Sequence, residues 1–209
     1  MNVTLIPYDF PDAGLFTGST NDCLAWQPDR YYLVLGQSNT PENSLVIENV
    51  IRDNIPVTKR PSGGEAVMLT PSTIAFTVSK SFPANMHFRD FFRTVNSLVI
   101  ECLEDSGVTG LGARGISDIT IGNRKILGSA MRNTHGSLIY QAVLNVSEDP
   151  RLFETYLRHP RREPDYRTGR SHSDFVTSLK AEGFDLPARD LLSAIETKMK
   201  EYLHVNYSL

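Results

Sequence analysis

The chain has 209 residues, 40% of them hydrophobic and 22% charged, with a formal net charge of −3. That balance fits a soluble globular protein and argues against a general binder of nucleic acid or of anionic membranes. No stretch approaches the ~18 uninterrupted apolar residues of a membrane-spanning helix, and the opening MNVTLIPYDF, with Pro7 and Asp9, is no signal peptide. Cys23 and Cys102 form no metal-binding pair, so a reducing, cytoplasmic location is expected.

Residues 11–30, rich in Gly, Pro, Asp, Ser and Thr, read as irregular. Tyr31 to Gly36 reads as a buried strand ended by glycine. Thr40, Pro41 and Glu42 look like the start of a helix whose apolar stripe is Val46, Ile47, Val50 and Ile51. Ile55–Lys59, Ala66–Thr70 and Thr73–Ser79 then read as three strands around the loop Arg60-Pro61-Ser62-Gly63-Gly64-Glu65. His87–Ser106 is the clearest helix, with Phe88, Phe91, Phe92, Val95, Leu98, Val99, Cys102 and Leu103 on one face and Gly107 as its C-terminal stop. Cys102 on that stripe is a small core hydrophobe rather than a nucleophile, and Cys23 takes the same reading.

Asp118–Ile121, the turn Gly122-Asn123, and Arg124–Met131 read as a hairpin. His135-Gly136 opens a further strand, Ser137–Val146. Short helical patterns follow near 150–157 and 173–182, and a last helix, about Ala188–Val205, turns Leu191, Leu192, Ile195, Met199, Tyr202 and Leu203 inward. Strands and helices mix without a repeated βαβ rhythm. The expected fold is therefore α+β, a mixed, mostly antiparallel sheet flanked by helices. With no repeat and no linker, residues 1–209 are expected to form a single domain.

Two stretches could carry chemistry. In the 60–65 loop, Gly63 and Gly64 permit positive φ and close approach to a ligand, and converging N–H groups beside Arg60 could hold an anion; an ordinary hairpin loop has the same composition. In the hairpin, Ile121 pairs with Arg124 and Thr120 with Lys125, so Asp118 and Lys125 share a face as diagonal neighbours about 7–8 Å apart at the backbone. Lys125 is then either a solvated lysine at a hairpin tip or, over the small floor Gly128-Ser129-Ala130, a reader of carboxylate or phosphate.

Arg60-Pro61-Ser62-Gly63-Gly64-Glu65-Ala66-Val67, Asp118-Ile119, Arg124-Lys125-Ile126-Leu127-Gly128-Ser129-Ala130 and His135-Gly136-Ser137-Leu138 resemble, in that order, motifs of the lipoate–protein ligase catalytic domain. That superfamily also holds octanoyltransferases and biotin ligases, and the resemblance spans about Tyr31 to Leu179. It implies a groove for a lipoyl-adenylate made from lipoate and ATP. Arg60, Ser62, Gly63, Gly64 and the backbone of Glu65, Ala66, Val67 and Met68 would make nucleotide and phosphate contacts. Lys125 would be the catalytic lysine touching acyl carbonyl and phosphate, with Asp118 and Ile119 beside the nucleotide or acceptor. Gly128, Ser129 and Ala130 would line the acyl tunnel, and His135-Gly136 would close its wall. Mg²⁺ would arrive on the phosphates, with no protein metal site.

The implied partner is an apo lipoyl-acceptor protein, a lipoyl domain or H-protein-like, without nucleic acid or membrane. The implied alternatives are an octanoyl or lipoyl acyltransferase with a thioester donor, or a non-catalytic lipoyl-binding subunit. Against the thioester route, Leu111-Gly112-Ala113-Arg114-Gly115 holds no cysteine where such relatives place one. Three departures stand out. Glu65 replaces the loop's usual third glycine, the segment before Tyr31 is short, and the accessory C-terminal domain of the larger ligases is expected to be absent, so that a separate small subunit would supply it. Arg151, Arg158, Arg161, Arg162, Arg167 and Arg170, set against Glu154, Glu163 and Asp165, form a solvated loop or a docking edge for an acidic acceptor, and the Tyr166-Arg167 and Arg170-Ser171-His172 pieces could instead fold over the groove.

Overall fold

The computed structural model describes residues 3–17, 21–81, 88–134 and 136–205. Two sheets form the frame. The six-stranded sheet runs β2 (Asp22–Trp26), β6 (Thr73–Ser81), β10 (Ser137–Asn145), β9 (Arg124–Thr134), β8 (Asp118–Ile121) and β7 (Leu111–Arg114), every neighbouring pair antiparallel. The four-stranded sheet runs β1 (Leu5–Ile6), β4 (Val57–Lys59), β3 (Tyr32–Leu35) and β5 (Val67–Leu69), with β4 parallel to both its neighbours. The α+β, mostly antiparallel expectation holds. Its division into two sheets was not legible.

Alternation along β6 shows how the large sheet serves two purposes. Ile74, Phe76 and Val78 enter the main core, while Thr73, Ala75 and Thr77 turn to the other face, where they border a cleft. Helices α3 (Phe88–Asp105) and α6 (Ala188–Val205) cover the core face. Phe91, Phe92, Val95, Val99 and Cys102 of α3 meet Leu191, Ile195, Met199 and Leu203 of α6 in that core. Phe88, assigned to the same stripe, lies exposed in the first described turn, and His87 lies outside the described residues. Gly107, at φ +90°, stops α3: its N–H reaches the carbonyl of Glu104 at 2.8 Å, and Val108 N–H that of Leu103 at 3.0 Å. No described helix is long and apolar enough to cross a membrane.

A second core lies against the small sheet. Leu33, Leu35, Val57 and Met68 pack there with Val50 of α2 (Ile47–Arg52) and Phe153 and Tyr156 of α4 (Pro150–Tyr156). The single helix expected from Thr40 is two pieces, α1 (Pro41–Ser44) and α2, and the Thr40 side chain caps neither. Between them Leu45 and Val46 are drawn out to pair with the chain after α4: Val46 N–H donates to Tyr156 O at 2.9 Å, and Leu45 bridges Leu157. Those long-range bonds outcompete a short helix of marginal stability. Likewise 173–182 is not one helix but α5 (His172–Phe175), an extended Val176 and a 3₁₀ turn at Lys180–Glu182.

Residues 11–30 are less irregular than expected. Ala13–Phe16 form a 3₁₀ turn, and β2 alternates Cys23 and Ala25 into the core as it pairs with β6. The strand β7 was not expected, and β9 runs on to Thr134. Between sheet and helix, the fully buried Tyr140 hydroxyl donates to Asn96 Oδ1 at 2.7 Å. Tyr140→Phe would orphan that acceptor and is expected to cost about 1–3 kcal/mol, measured by denaturant unfolding.

Candidate functional site

The hairpin sets out as the turn chemistry demands, with Gly122 at φ +57°, Ile121 opposite Arg124 and Thr120 opposite Lys125. A β-bulge then intervenes. Ile119 pairs with Leu127 and Asp118 with Gly128, so Ile126 is the extra residue. Ile126 and Leu127 both enter the main core, and Gly128 returns to the face that carries Asp118 and Lys125. Lys125 lies directly over it: a Cβ at Gly128 would stand 2.6 Å from both Lys125 Cε and Nζ. Nζ reaches Asp118 Oδ1 at 2.8 Å. Asp118 Oδ2 accepts from Tyr166 Oη at 2.8 Å, and Oδ1 also from Ser117 Oγ at 3.2 Å. The backbone of Lys125 is pinned as well, since its carbonyl accepts from Thr177 N–H at 2.8 Å.

The glycine loop meets this strand. Gly64, at φ +88°, faces Ala130, where an added Cβ would come within 3.4 Å of the alanine methyl. Gly36, at the end of β3, abuts the same loop so closely that a Cβ would fall 2.0 Å from Gly64 O. Arg60 governs the loop from within. Its Nε donates to Ser62 Oγ at 3.0 Å and Gly63 O at 3.1 Å, Nη2 to Gly63 O at 2.6 Å and Glu65 O at 2.8 Å, and Nη1 to Val34 O at 3.3 Å. The fork expected to grip phosphate oxygens is thus mostly spent on its own loop's carbonyls. Burial pulls its pKa down to about 10. Glu65 is held by its backbone carbonyl, while its carboxylate, at the cleft, makes no hydrogen bond or ion pair with any described residue.

Loop and strand border one cleft of about 940 Å³. Toward one part it is apolar, with Trp26, Val34, Ala75 and Val143; elsewhere it carries Asp118 and Lys125. Gly128, Ser129 and Ala130 line it, as do Gly63, Gly64, Ala66 and Val67. Ser62 is fully buried behind the loop, and Met68, though it touches the cleft, packs mainly in the second core. Two expected residues are elsewhere. Ile119 belongs to the main core because its neighbour Asp118 takes the cleft face, and Gly136 sits exposed in the tight β9–β10 turn at φ +91°. His135 lies outside the described residues.

Sequence reasoning missed one contributor and left a second undecided. The first is the N-terminal segment, whose Tyr8 and Asp12 reach the cleft and bond Gln141 of β10. The second is the arginine-rich stretch, which of the forms open to it folds along the cleft. Arg158 Nε donates to Leu45 O at 2.8 Å, Arg161 to Asn43 Oδ1 at 2.6 Å, and Arg170 to Asn123 O at 3.1 Å, so the segment spans from α1 to the hairpin turn. Tyr166, on its inner side, carries the bond to Asp118; burial first, then the Asp118 charge, pushes its phenol up. Nothing local marks either segment, because the partners lie dozens of residues away.

A family model described as the lipoyl protein ligase A/B catalytic domain matches residues 16–200. The chain is similar to lipoate-protein ligase A subunit 1 of Thermoplasma acidophilum, 22% identical over 187 residues, covering 84% of this chain and 70% of that one. Among solved structures it resembles a bi-partite lipoate protein ligase of T. acidophilum, described with its E2 lipoyl domain, at TM-score 0.78 and 18% identity over 97% of this chain and 83% of that one. A lipoate-protein ligase A bound with ATP gives TM-score 0.77 at 19% identity, over 97% and 84%. At these identities the structural likeness carries the fold.

His172, at the cleft, is held neutral: burial, then the Arg167 charge, pull its pKa from 6.5 to about 4. A depressed histidine stabilises the fold above its unfolded value and loses that contribution as pH falls, because the unfolded chain takes the proton first. Stability is therefore expected to drop between pH 6.5 and 4, and to drop less in His172→Asn, read as the urea midpoint of each protein across that range.

Proposed function

Because the chain belongs to the lipoyl protein ligase A/B catalytic-domain family, we propose that it carries a lipoyl group, as its adenylate, to a lysine of an acceptor protein. The observation that carries this reading is Lys125, laid over Gly128 and ion-paired with Asp118 at 2.8 Å, beside the glycine loop. Forming the adenylate brings lipoate's carboxylate against the α-phosphate of ATP, with pyrophosphate leaving. Two anions must meet, and a compact cation with oriented N–H groups offsets their repulsion. Asp118 balances Lys125 until substrate arrives, and Tyr166 keeps that carboxylate in place. In the second step the acceptor's amine attacks the acyl carbonyl, the carbonyl–phosphate bond breaks, and AMP leaves. Lys125 then faces the negative charge growing on the carbonyl oxygen.

Any Mg²⁺ would arrive on the phosphates of ATP, its usual habit. Arg60 contributes mainly by fixing the loop. Trp26, Val34 and Val143 supply an apolar wall suited to an acyl chain. An acceptor resembling a lipoyl domain, and a separate accessory subunit, are supported by the bi-partite relative and its E2 lipoyl domain. The thioester alternative has little support: Cys23 and Cys102 are both buried in the main core, and burial pushes both thiols up, away from thiolate.

One observation favours a narrower form of the reading. The unpaired Glu65 carboxylate at the cleft repels the densely charged triphosphate more than a lipoyl-adenylate. The chain would then act chiefly as a transferase from preformed adenylate, unless an accessory subunit assists activation. A lipoylation assay with lipoate plus ATP against preformed lipoyl-adenylate, on an apo lipoyl domain, decides between ligase and transferase. No modification of the acceptor from either donor, even with an accessory subunit, would overturn the proposal.

Lys125→Ala is expected to lower the transfer rate about 10²–10³-fold while leaving the fold, since Asp118 keeps Tyr166 and Ser117 as donors. Gly128→Ala should act in the same direction by displacing the lysine amine. The Cys23→Ser, Cys102→Ser double variant, provided it remains folded, should retain transfer; loss of acyl-enzyme capture in that protein alone would point back to a thioester route.

A further inference from the structure

Behind the glycine loop, a buried line of hydrogen bonds joins a cation to a carboxylate. Arg60 Nε donates to Ser62 Oγ at 3.0 Å, Ser62 Oγ to Gln141 Oε1 at 2.5 Å, and Gln141 Nε2 to Asp12 Oδ2 at 3.0 Å. Asp12 also accepts from Thr77 Oγ1 at 2.6 Å and from the Tyr8 hydroxyl at 3.0 Å on each oxygen, while that hydroxyl accepts from Gln141 Nε2 at 2.8 Å. Asp12 is 2% exposed and Ser62 fully buried, while Gln141 and Tyr8 between them are partly buried at the cleft.

The direction of the line is forced by its ends. A guanidinium only donates and an ionised carboxylate only accepts. Gln141 must therefore turn its NH₂ to Asp12, which leaves its oxygen for Ser62. Ser62 must then give its proton to Gln141, which leaves its lone pairs for Arg60. With Nε so seated, the rest of the guanidinium closes on the carbonyls of Gly63 and Glu65. A change at Asp12 removes the reason for every orientation along the line.

We propose that Asp12 is a positioning residue for acyl transfer: acting through Gln141, Ser62 and Arg60, it holds the Gly63–Glu65 backbone in the shape that meets the Lys125 strand at Ala130. The inference rests on the transfer reading above. It gives the short N-terminal segment a task in the site, performed by a carboxylate that need not touch the substrate.

Asp12→Asn keeps size but offers one acceptor oxygen to several donors, and its amide opposes theirs. Transfer from preformed lipoyl-adenylate is expected to fall about 100-fold in kcat/KM, the scale of a misplaced site, in protein that is still folded at the assay temperature. Ser62→Ala should lower it too, and the double variant should fall no further than the worse single, since one line has been cut twice. If Asp12→Asn does not fold, Gln141→Met cuts the same line with similar volume, and the same loss is expected. Wild-type kcat/KM in the folded variant, a lowered melting temperature with unchanged kinetics, or additive losses in the double variant each overturn the inference. A separate readout is the NMR signal of Arg60 Nε–H, expected to be protected from exchange in the wild type and to lose that protection in Asp12→Asn. An unmoved signal overturns the positioning role even if the wild-type chain transfers nothing, an outcome that would instead defeat the transfer reading.

Discussion

A lysine amine lying across the bare Cα of Gly128, with the Asp118 carboxylate 2.8 Å away, is the constraint on which the rest of the site depends. The pair is partly withdrawn from water, with Asp118 nearly buried, so each charge fixes the position of the other. Around it the structure supplies what such a pair requires. A bulge puts glycine where any side chain would obstruct the lysine, Thr177 holds the lysine's backbone, and Tyr166 and Ser117 satisfy the remaining carboxylate lone pairs.

Two sheets, rather than one, make room for chemistry beside that pair. Lys125 rides on the six-stranded sheet and the glycine loop on the small one, so the cleft opens between elements with separate cores. Their meeting point is tight, with Gly64 against Ala130, and the loop is pressed from behind by Gly36 at the end of β3. A methyl group at Gly36 would push the loop out of place. Close packing transmits position here, because a packed contact leaves no gap in which the loop could settle differently.

Arg60 illustrates how a charged residue near an anion site can serve it indirectly. Its N–H groups stiffen the loop by taking up the carbonyls of Gly63 and Glu65. The phosphate contacts proposed above therefore fall to the loop's N–H dipoles and the charge of Lys125. The arginine-rich stretch behaves similarly. Arg158, Arg161 and Arg170 are tied to backbone or side-chain oxygens that anchor the segment along the cleft, which brings Tyr166 to Asp118.

Much of this was legible in the sequence because it is local. The apolar and β-branched runs of β6 and β10, the apolar stripe of α3 stopped by Gly107, and the Gly122-Asn123 turn each follow from neighbours a few residues apart. The motifs around Arg60 and Lys125 pointed to the family and to a shared cleft. Other features depend on bonds between distant residues. The break at Leu45-Val46 comes from the chain after α4, and Asp12 acquires its role from Thr77 and Gln141, 65 and 129 residues away. Even the bulge, which decides that Gly128 rather than Leu127 lies under the lysine, arises from the core's demand for both Ile126 and Leu127. The sequence by itself determined which residues could do the chemistry, since charge, small size and turn preference are properties of each residue. Only the tertiary structure decided which of them meet, because a hydrogen bond or a packed contact depends on where a distant partner has been placed.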